Sequence, residues 1–260
     1  MSQSIIFAND RLRISRKNPY TIVTILVILP GLDGIGSLHV EFVQALGQSF
    51  SSVRVFAYPR DQVMDYAALA NLVRQGLPMM SPFILIAESF SGPIAISIAA
   101  NPPPNLCGLI LSTSFAKFPI TFAEKLAPLV KFLPVRYTPF FLTSWWLLGP
   151  WRTARMEVEL KAAIRSVTAA VIQARMVSAI CVDVTSLLAL VRVPTLYLRA
   201  RNDRLLLGRP DRLIQVGIVD CTLVEIDGPH LLLQARPQEC ALAVADFSAR
   251  IGQSSAIAKV

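Results

Sequence analysis

Runs of consecutive aliphatic residues alternate along this chain with segments in which apolar residues recur every three or four positions. The uninterrupted runs predict strands buried on both faces of a parallel sheet, and the recurring spacing predicts helices with one buried face. The predicted strands are Thr21–Leu29, Val53–Tyr58, Phe83–Ala87, Leu106–Ser112, Val193–Leu198 and Thr222–Ile226. The predicted helices are Leu38–Phe50, Tyr66–Gly76, Pro93–Ala100, Trp151–Ser166, Ala169–Ile180 and Glu239–Ile251. Because strands and helices alternate with short connections, we expect an α/β fold with a doubly wound, mostly parallel sheet.

The alternation stops between Phe115 and Val191, where helical spacing and the aromatic segment FFLTSWWLLGPW replace the aliphatic runs. A stretch of about 75 residues is uncommon for a loop and is typical of a lid or another functional insert. The sequence therefore predicts a sheet domain in two parts, residues 1–115 and 192–260, with a helical cap at residues 116–191 between them. Residues 253–260 are expected to form a frayed tail.

Composition and charge narrow the class of protein. Apolar residues make up 53% of the chain and charged residues only 16%, which excludes a disordered protein. The formal net charge of +8 raises nucleic acid, anionic membranes and acidic proteins as partners. Nucleic acid is disfavoured, because the basic residues form neither a run nor a recognisable reading motif.

The N-terminal region indicates a cytoplasmic protein. Its apolar run, Ile22–Leu29, is shorter than the roughly 20 residues of a membrane span. The run leads into Pro30-Gly31, where a secretion signal would have a cleavage site of small residues. The cysteines lie far apart without a C-x-x-C pair, which predicts reduced thiols rather than a disulfide or zinc framework. We expect no metal and no cofactor.

Ser89 stands at the junction of a predicted strand and a predicted helix, in the segment ILIAESFSGPIAIS. A sharp turn at this point would lift the hydroxyl above the sheet edge and place the next N–H at a helix N-terminus. Such a turn crowds the positions two before and two after the serine, and both Ala87 and Ser91 are small. These features favour a nucleophilic serine, and the alternative is a serine that only caps the helix.

A serine nucleophile needs a base, and the chain has two histidines. His230 follows the predicted strand Thr222–Ile226 in a Gly-Pro turn, at the strand end where open α/β sheets place their sites. The alternative for His230 is a structural role in that turn. His39 lies among apolar residues early in a predicted helix, where we expect it to be solvated or half-buried.

The group that orients the base should be a carboxylate at another strand end. Asp203 meets this condition, because it follows the predicted strand Val193–Leu198. Three other aspartates compete with it: Asp211, Asp220 and Asp227. Asp203 is preferred, since Asp211 resembles a helix N-cap, Asp220 precedes a strand, and Asp227 is too near His230 in sequence to orient it.

Four segments together resemble the α/β-hydrolase-fold serine hydrolases of the esterase and thioesterase type, over essentially the whole chain. They are LPGLDG (29–34), AESFSGPIA (87–95), YLRARND (197–203) and DGPHLL (227–232). The resemblance implies that Ser89 is the nucleophile, His230 the base and Asp203 the group that orients the base. It also implies an oxyanion hole from the backbone N–H groups of Phe90 and of Leu32, with Asp33 as the alternative to Leu32.

The chain departs from the pattern of this family at two positions. Many members have His-Gly where this chain has Pro30-Gly31, and glycine where it has Ala87. The first departure leaves open which residue supplies the second oxyanion donor. Serine at position 89, rather than aspartate, favours acyl transfer over dehalogenase or epoxide chemistry.

The resemblance implies that the cap, between the sixth and seventh strands of the fold, covers the serine and forms the acyl pocket. Its aromatic residues favour an apolar acyl or alcohol group, and the candidates for substrate binding are Phe122, Phe141, Trp145 and Trp146. For each residue alone, the alternative is the core of the cap itself. Contact of the segment FFLTSWWLLGPW with a membrane surface is disfavoured.

Residues 117–185 contain nine basic and four acidic residues. This excess of positive charge suits either a solvated helical surface or the docking of an acidic acyl carrier protein.

The leading prediction is hydrolysis of carboxylic esters with short to medium apolar acyl groups. One alternative is a thioesterase or methyl-ester esterase acting on substrates linked to acyl carrier protein or coenzyme A. Another is a non-hydrolytic binding member of the fold, and a lyase or transferase with the same three residues also fits.

Overall fold

The computed structural model describes residues 6–7, 25–47, 49–120, 123–130 and 139–257. Within these residues, seven strands form one sheet in the order β1-β3-β2-β4-β5-β6-β7. The strands are β1 (Ile6–Phe7), β2 (Ile25–Leu29), β3 (Ser52–Val55), β4 (Phe83–Glu88), β5 (Leu106–Ser112), β6 (Thr195–Ala200) and β7 (Cys221–Ile226). Strand β1 pairs antiparallel with β3, and all the other pairs are parallel. The predicted doubly wound, mostly parallel sheet is confirmed.

Helices follow most of the strands. The α-helices are α1 (Val40–Leu46), α2 (Tyr66–Gly76), α3 (Gly92–Ala100), α4 (Ala123–Val130), α5 (Phe140–Leu148), α6 (Ala154–Arg165), α7 (Ala169–Cys181), α8 (Pro210–Gly217), α9 (Leu232–Ala235) and α10 (Pro237–Ile257). Short 3-10 helices cover Ser37–His39, Ser89–Ser91, Gly149–Trp151 and Thr185–Leu190. Helices α4 to α7 lie between β5 and β6 and are called the insertion below.

The core lies on both faces of the sheet, because successive residues of a strand point to opposite sides. One set of strand residues packs with α2, α3 and α8: Val27, Leu29, Leu85, Leu109 and Leu111. The alternate set packs with α1, α9 and α10: Leu26, Ile28, Ile84, Ile86 and Ile110. Burial on both faces explains why these strands have uninterrupted apolar sequences.

The insertion packs on the sheet domain through a third apolar cluster. Leu148, Leu160 and Val171 of the insertion meet Ile35, which follows β2, and Leu231, which follows β7. The cluster is therefore shared by the insertion and by two loops at the carboxyl ends of strands. This packing places the insertion over the edge of the sheet where parallel α/β folds have their sites.

Several element boundaries differ from the predicted ones. The predicted strand Val53–Tyr58 ends at Val55, because the Tyr58 N–H donates to the Gly34 carbonyl in a loop instead of to a strand. The predicted helix Leu38–Phe50 begins as a 3-10 turn and stops at Leu46, where Gly47 adopts a φ of 54°. Helix α10 continues past the predicted end at Ile251 to Ile257. The prediction of a frayed tail was therefore wrong for residues 253–257.

The insertion also differs in detail from its prediction. Helix α6 begins later than predicted, at Ala154, because the Thr153 hydroxyl accepts the Met156 N–H as an N-cap. The predicted strand Thr21–Leu29 is described from Ile25 onward, and residues 21–24 lie outside the described residues. The described strands and α-helices that were not predicted one by one are the two-residue strand β1 and the helices α4, α5, α8 and α9.

Among the described helices, none is by itself long and apolar enough to cross a membrane. Helices α6 and α7 meet the length and composition of a span only as a pair, and their axes bend by 98° at the junction.

Candidate active site

Ser89 lies in the turn between β4 and α3, as the sequence predicts. Its φ of 47° is rare for a residue with a side chain and must be held by its surroundings. The Ser114 hydroxyl donates to the Ser89 carbonyl at 2.6 Å, and the Tyr197 hydroxyl in turn donates to the Ser114 carbonyl at 2.6 Å. A Cβ on Gly92 would lie 1.7 Å from the Ser114 Oγ, so the start of α3 must be glycine. Buried neighbours thus impose the strained turn.

The structure brings Ser89, His230 and Asp203 into one line of hydrogen bonds. The Ser89 Oγ lies 2.8 Å from the His230 Nε2, and the His230 Nδ1 lies 2.9 Å from the Asp203 Oδ2. The second carboxylate oxygen of Asp203 accepts the N–H groups of Leu205 and Leu206, both at 2.9 Å. The carboxylate is therefore fixed by the backbone on one side and directed at the imidazole on the other.

The three rival aspartates have other partners or positions. The Asp227 carboxylate accepts the Asn202 amide at 2.8 Å and is 55% exposed. Asp211 is buried and holds the Arg209 guanidinium, and Asp220 is exposed just before β7. The aspartate that meets the His230 ring is thus Asp203.

Electrostatics at the three residues suit a base that receives a proton. Burial alone would lower the pKa of His230, but the Asp203 charge, its hydrogen bond and the nearby Glu88 outweigh burial and raise that pKa above 6.5. Burial would raise the pKa of Asp203, but the His230 charge and three hydrogen bonds hold it below its ordinary value. The pair therefore stabilises an imidazolium beside a carboxylate.

Comparison with known proteins bears on the fold. No protein-family model matches the chain, and no curated protein matches its sequence. Solved structures do match: a lipase-esterase related protein from Clostridium acetobutylicum has a TM-score of 0.71 at 12% identity, over 88% of this chain and 96% of that one. An esterase from Exiguobacterium antarcticum has a TM-score of 0.73 at 13% identity, over 86% and 91%. An enol-lactonase from Burkholderia xenovorans has a TM-score of 0.69 at 15% identity, over 86% and 91%.

The chain has the α/β-hydrolase fold. TM-scores of 0.69 to 0.73 establish this architecture, and at identities of 12 to 15% the similarity shows the fold alone and not the chemistry.

In this α/β-hydrolase fold, the turn after β2 lies beside the turn Ser89–Ser91, called the elbow below. The two turns are neighbours because β2 pairs with β4 along its whole length up to Leu29 and Ala87. Residues 31–34, called the β2 turn below, are closed by a hydrogen bond of 3.0 Å from the Gly34 N–H to the Gly31 carbonyl. Both residues predicted as the second oxyanion donor, Leu32 and Asp33, lie inside this turn. The other predicted donor, the Phe90 N–H, follows Ser89 directly in the elbow.

Behind the elbow lies a buried ion pair that the sequence analysis did not predict. His39 and Glu88 are each 1% exposed, and the His39 Nε2 lies 2.9 Å from the Glu88 Oε2, without the alignment of a linear hydrogen bond. The expectation that His39 is solvated or half-buried was wrong, because the 3-10 turn at residues 37–39 directs it inward. Glu88 also accepts the Gln234 amide at 3.2 Å.

Charge keeps this buried pair together. The His39 Nδ1 faces the Gly36 carbonyl at 3.3 Å, so both ring nitrogens face acceptors, an arrangement that favours the protonated ring. Burial alone would lower the pKa of His39, but Glu88 outweighs burial and raises it. Burial would raise the pKa of Glu88, but His39 and Gln234 lower it. The sequence does contain one signal of this pair. Glu88 ends a wholly apolar strand, and a glutamate buried there needs a partner for its charge.

Three of the predicted substrate-binding residues lie on α5, and Phe122 lies outside the described residues. Phe141, Trp145 and Trp146 are 62%, 42% and 49% exposed, so they are not the core of the insertion. The Arg204 guanidinium lies 4.2 Å from the Trp145 ring centroid, which places this tryptophan beside the loop that carries Asp203.

The carboxyl end of α5 is fastened to both loops of the site. Arg204, the residue after Asp203, donates to the Trp145 carbonyl at 3.4 Å. Leu231, the residue after His230, donates its N–H to the Leu147 carbonyl at 3.1 Å. The Leu231 bond satisfies a carbonyl in the last turn of α5, and the Arg204 bond adds a second donor to a carbonyl that already accepts the Gly149 N–H.

Proposed function

We propose that the protein is a serine hydrolase that cleaves carboxylic esters with short to medium apolar acyl groups. The observation that carries this proposal is the line of hydrogen bonds from Ser89 through His230 to Asp203, with Ser89 held in a strained turn. Nucleophile, base and orienting acid are the groups that acyl transfer to a hydroxyl requires. Two solved structures of the same fold are named as an esterase and a lipase-esterase related protein, which is consistent with the proposal.

The proposed reaction proceeds in two halves. The Ser89 Oγ attacks the ester carbonyl while the His230 Nε2 takes its proton, and the resulting oxyanion is stabilised by backbone N–H groups of the elbow and the β2 turn. The imidazolium then gives its proton to the departing alcohol, which leaves an acyl group on Ser89. Water repeats the sequence on the acyl-enzyme, releasing the carboxylic acid and restoring the serine.

The acyl group is expected to be apolar because of the residues on α5. Their aromatic side chains are accessible, and one of them, Trp145, stands next to the loop that carries Asp203. Accessible aromatic surface at the rim of a site favours apolar ligand groups over sugars.

A substrate series tests the proposed function. We expect kcat/KM to be highest with p-nitrophenyl butyrate or hexanoate and to fall for the palmitate ester, because the acyl chain then outgrows the pocket. The same acyl groups as coenzyme A thioesters are the comparison, and Ser89→Ala is the blank for background hydrolysis. Higher kcat/KM with the thioesters would contradict an ester hydrolase and favour the thioesterase alternative.

The carrier-linked alternative receives less support from the insertion. Arg155, one of the basic residues on its surface, is held by Glu41 at 2.8 Å and by Glu159 at 2.8 Å. This pairing cancels part of the positive charge that an acidic carrier protein would meet. A small ester is therefore the substrate that we propose.

The pH profile tests the influence of Glu88 on the base. We expect Glu88→Gln to move the acid limb of kcat/KM to lower pH, because that limb follows the ionisation of His230 in the free enzyme. The Glu88 charge helps to raise the pKa of His230, so its removal destabilises the imidazolium and leaves the base neutral at lower pH.

The matched control is Glu159→Gln, which removes an exposed carboxylate of the insertion. Its acid limb should coincide with that of the wild type. An unmoved limb in Glu88→Gln, or a limb that moves to higher pH, would show that Glu88 does not act on His230.

A further inference from the structure

Arg175 of helix α7 is a buried cation that reaches from the insertion into the β2 turn. It is 3% exposed. Its Nη1 donates to the Leu32 carbonyl at 3.0 Å and to the Asp33 carbonyl at 2.8 Å. Its Nη2 donates to the Pro59 carbonyl at 2.9 Å, in the loop after β3. One guanidinium thus holds two separate loops of the sheet domain from the insertion.

These bonds set the direction of the peptide groups in the β2 turn. The peptide bonds of the described residues are all trans, so the N–H of each residue points opposite to the carbonyl of the residue before it. Arg175 fixes the carbonyls of residues 32 and 33, and the Gly34 N–H fixes the carbonyl of residue 31. The carbonyl of residue 31 therefore sets where the Leu32 N–H points, and the carbonyl of residue 32, held by Arg175, sets where the Asp33 N–H points. These are the two residues from which the second oxyanion donor is expected.

The turn is shaped around the guanidinium. Gly34 has a φ of 70°, and a Cβ at this position would lie 2.4 Å from the Arg175 Nη1. The guanidinium also lies 5.6 Å from the ring centroid of Tyr58, whose hydroxyl lies 2.6 Å from the Ser91 Oγ in the elbow. Arg175 therefore contacts the β2 turn directly and reaches the elbow that carries Ser89 through Tyr58. Acyl transfer requires these two turns to be aligned with each other.

Apolar packing alone does not account for an arginine here. Burying a guanidinium costs free energy that an aliphatic side chain of similar length would not cost. Burial also lowers the pKa of Arg175 below its ordinary value. The guanidinium offsets this cost because its N–H donors form a rigid planar fork, which can bind several carbonyls at fixed angles.

We propose that Arg175 is a positioning residue that orients the oxyanion donor of the β2 turn, so that the insertion completes the catalytic site. This inference rests on the proposed function. It assigns the insertion a part in stabilising the transition state, beyond covering the acyl pocket.

Kinetics of Arg175→Ala and Arg175→Lys test the proposal on a small ester such as p-nitrophenyl butyrate. Loss of one oxyanion donor costs about 10²- to 10³-fold in kcat, and we expect a fall of about 10²-fold in Arg175→Ala with KM within threefold of wild type. Arg175→Lys keeps the charge but lacks the planar fork, so its kcat should also fall, by about tenfold. Guanidinium ions, added below the onset of unfolding, should restore at least part of the kcat of Arg175→Ala, whereas sodium chloride should not.

Arg74→Ala is the matched control for the loss of carbonyl contacts. The Arg74 guanidinium likewise donates to three carbonyls, those of Asn101, Ser97 and Ile98, but at the far end of α3. Its removal should lower the melting temperature and leave kcat near the wild-type value. Hydrogen exchange of the Gly34, Ile35 and Tyr58 amides should become faster in Arg175→Ala and not in Arg74→Ala.

The outcomes separate the inference from the proposed function. Wild-type kcat in a folded Arg175→Ala would overturn the role of Arg175 and leave the ester hydrolase intact. If Arg175→Ala does not fold, wild-type kcat in Arg175→Lys would overturn it in the same way. If the wild-type protein hydrolyses no ester, the proposed function fails, and the exchange rates still decide whether Arg175 orders the β2 turn.

Discussion

Replacing Ser89 with alanine is expected to lower kcat for ester hydrolysis by about 10⁴- to 10⁶-fold and to abolish covalent labelling by a fluorophosphonate probe. The variant removes the hydroxyl that lies 2.8 Å from the His230 Nε2 and that we propose as the attacking group. Alanine fits the buried site and bears the same backbone strain as serine, so the melting temperature should change little. Rates of ester hydrolysis and thermal unfolding of the two proteins are the measurements.

The position of the label decides between neighbouring serines. Ser91 lies two residues away, is buried, and contacts the Tyr58 hydroxyl and the Pro30 carbonyl. Because its hydroxyl is engaged there, mass spectrometry of the labelled protein should find the adduct on Ser89. An adduct on Ser91, or turnover near the wild-type rate in Ser89→Ala, would show that the nucleophile has been misassigned.

Replacing Asp203 with asparagine is expected to lower kcat by about 10⁴-fold. The Asp203 Oδ2 accepts a hydrogen bond from the His230 Nδ1 and its charge stabilises the imidazolium. An amide in its place removes the charge and can present an N–H to the ring, which favours the wrong tautomer. The measurement is kcat/KM across the pH range, together with the melting temperature, which should fall by only a few degrees.

Asp227→Asn is the matched control for this variant. Asp227 lies three residues before His230 in sequence, but its carboxylate faces Asn202, Arg236 and solvent. Its replacement should leave kcat within about threefold of wild type, as for other surface substitutions away from a site. A larger loss in Asp227→Asn than in Asp203→Asn would reverse the assignment of the acid.

The sheet and the three candidate catalytic residues could be predicted because their signals are local or topological. Strands buried on both faces have uninterrupted apolar sequences, and parallel strands end at one edge of the sheet. Residues that follow different strands, such as Asp203 after β6 and His230 after β7, are thereby brought to one place. The small residues around Ser89 added a second local signal.

The supporting contacts could not be predicted, since they depend on the three-dimensional arrangement of distant segments. Arg175 binds the Leu32 carbonyl from 143 positions later in the chain, and in sequence it is one basic residue among nine in residues 117–185. His39 lies among Leu38, Val40 and Phe42, and the 3-10 turn at residues 37–39, which the predicted helix did not include, directs it into the interior. The strand β1 is too short to produce an alternating pattern.

The hydrogen bonds that join the insertion to three loops of the sheet domain have a consequence for unfolding. Arg175 binds the β2 turn, while Arg204 and Leu231 bind the carboxyl end of α5 from the loops that carry Asp203 and His230. An insertion tied at three loops to one sheet cannot melt as a separate unit without releasing the groups that align the site. Local loosening of the insertion is therefore expected to free the loops that carry Asp203 and His230 at the same time, so opening of the insertion and loss of the aligned site are coupled events.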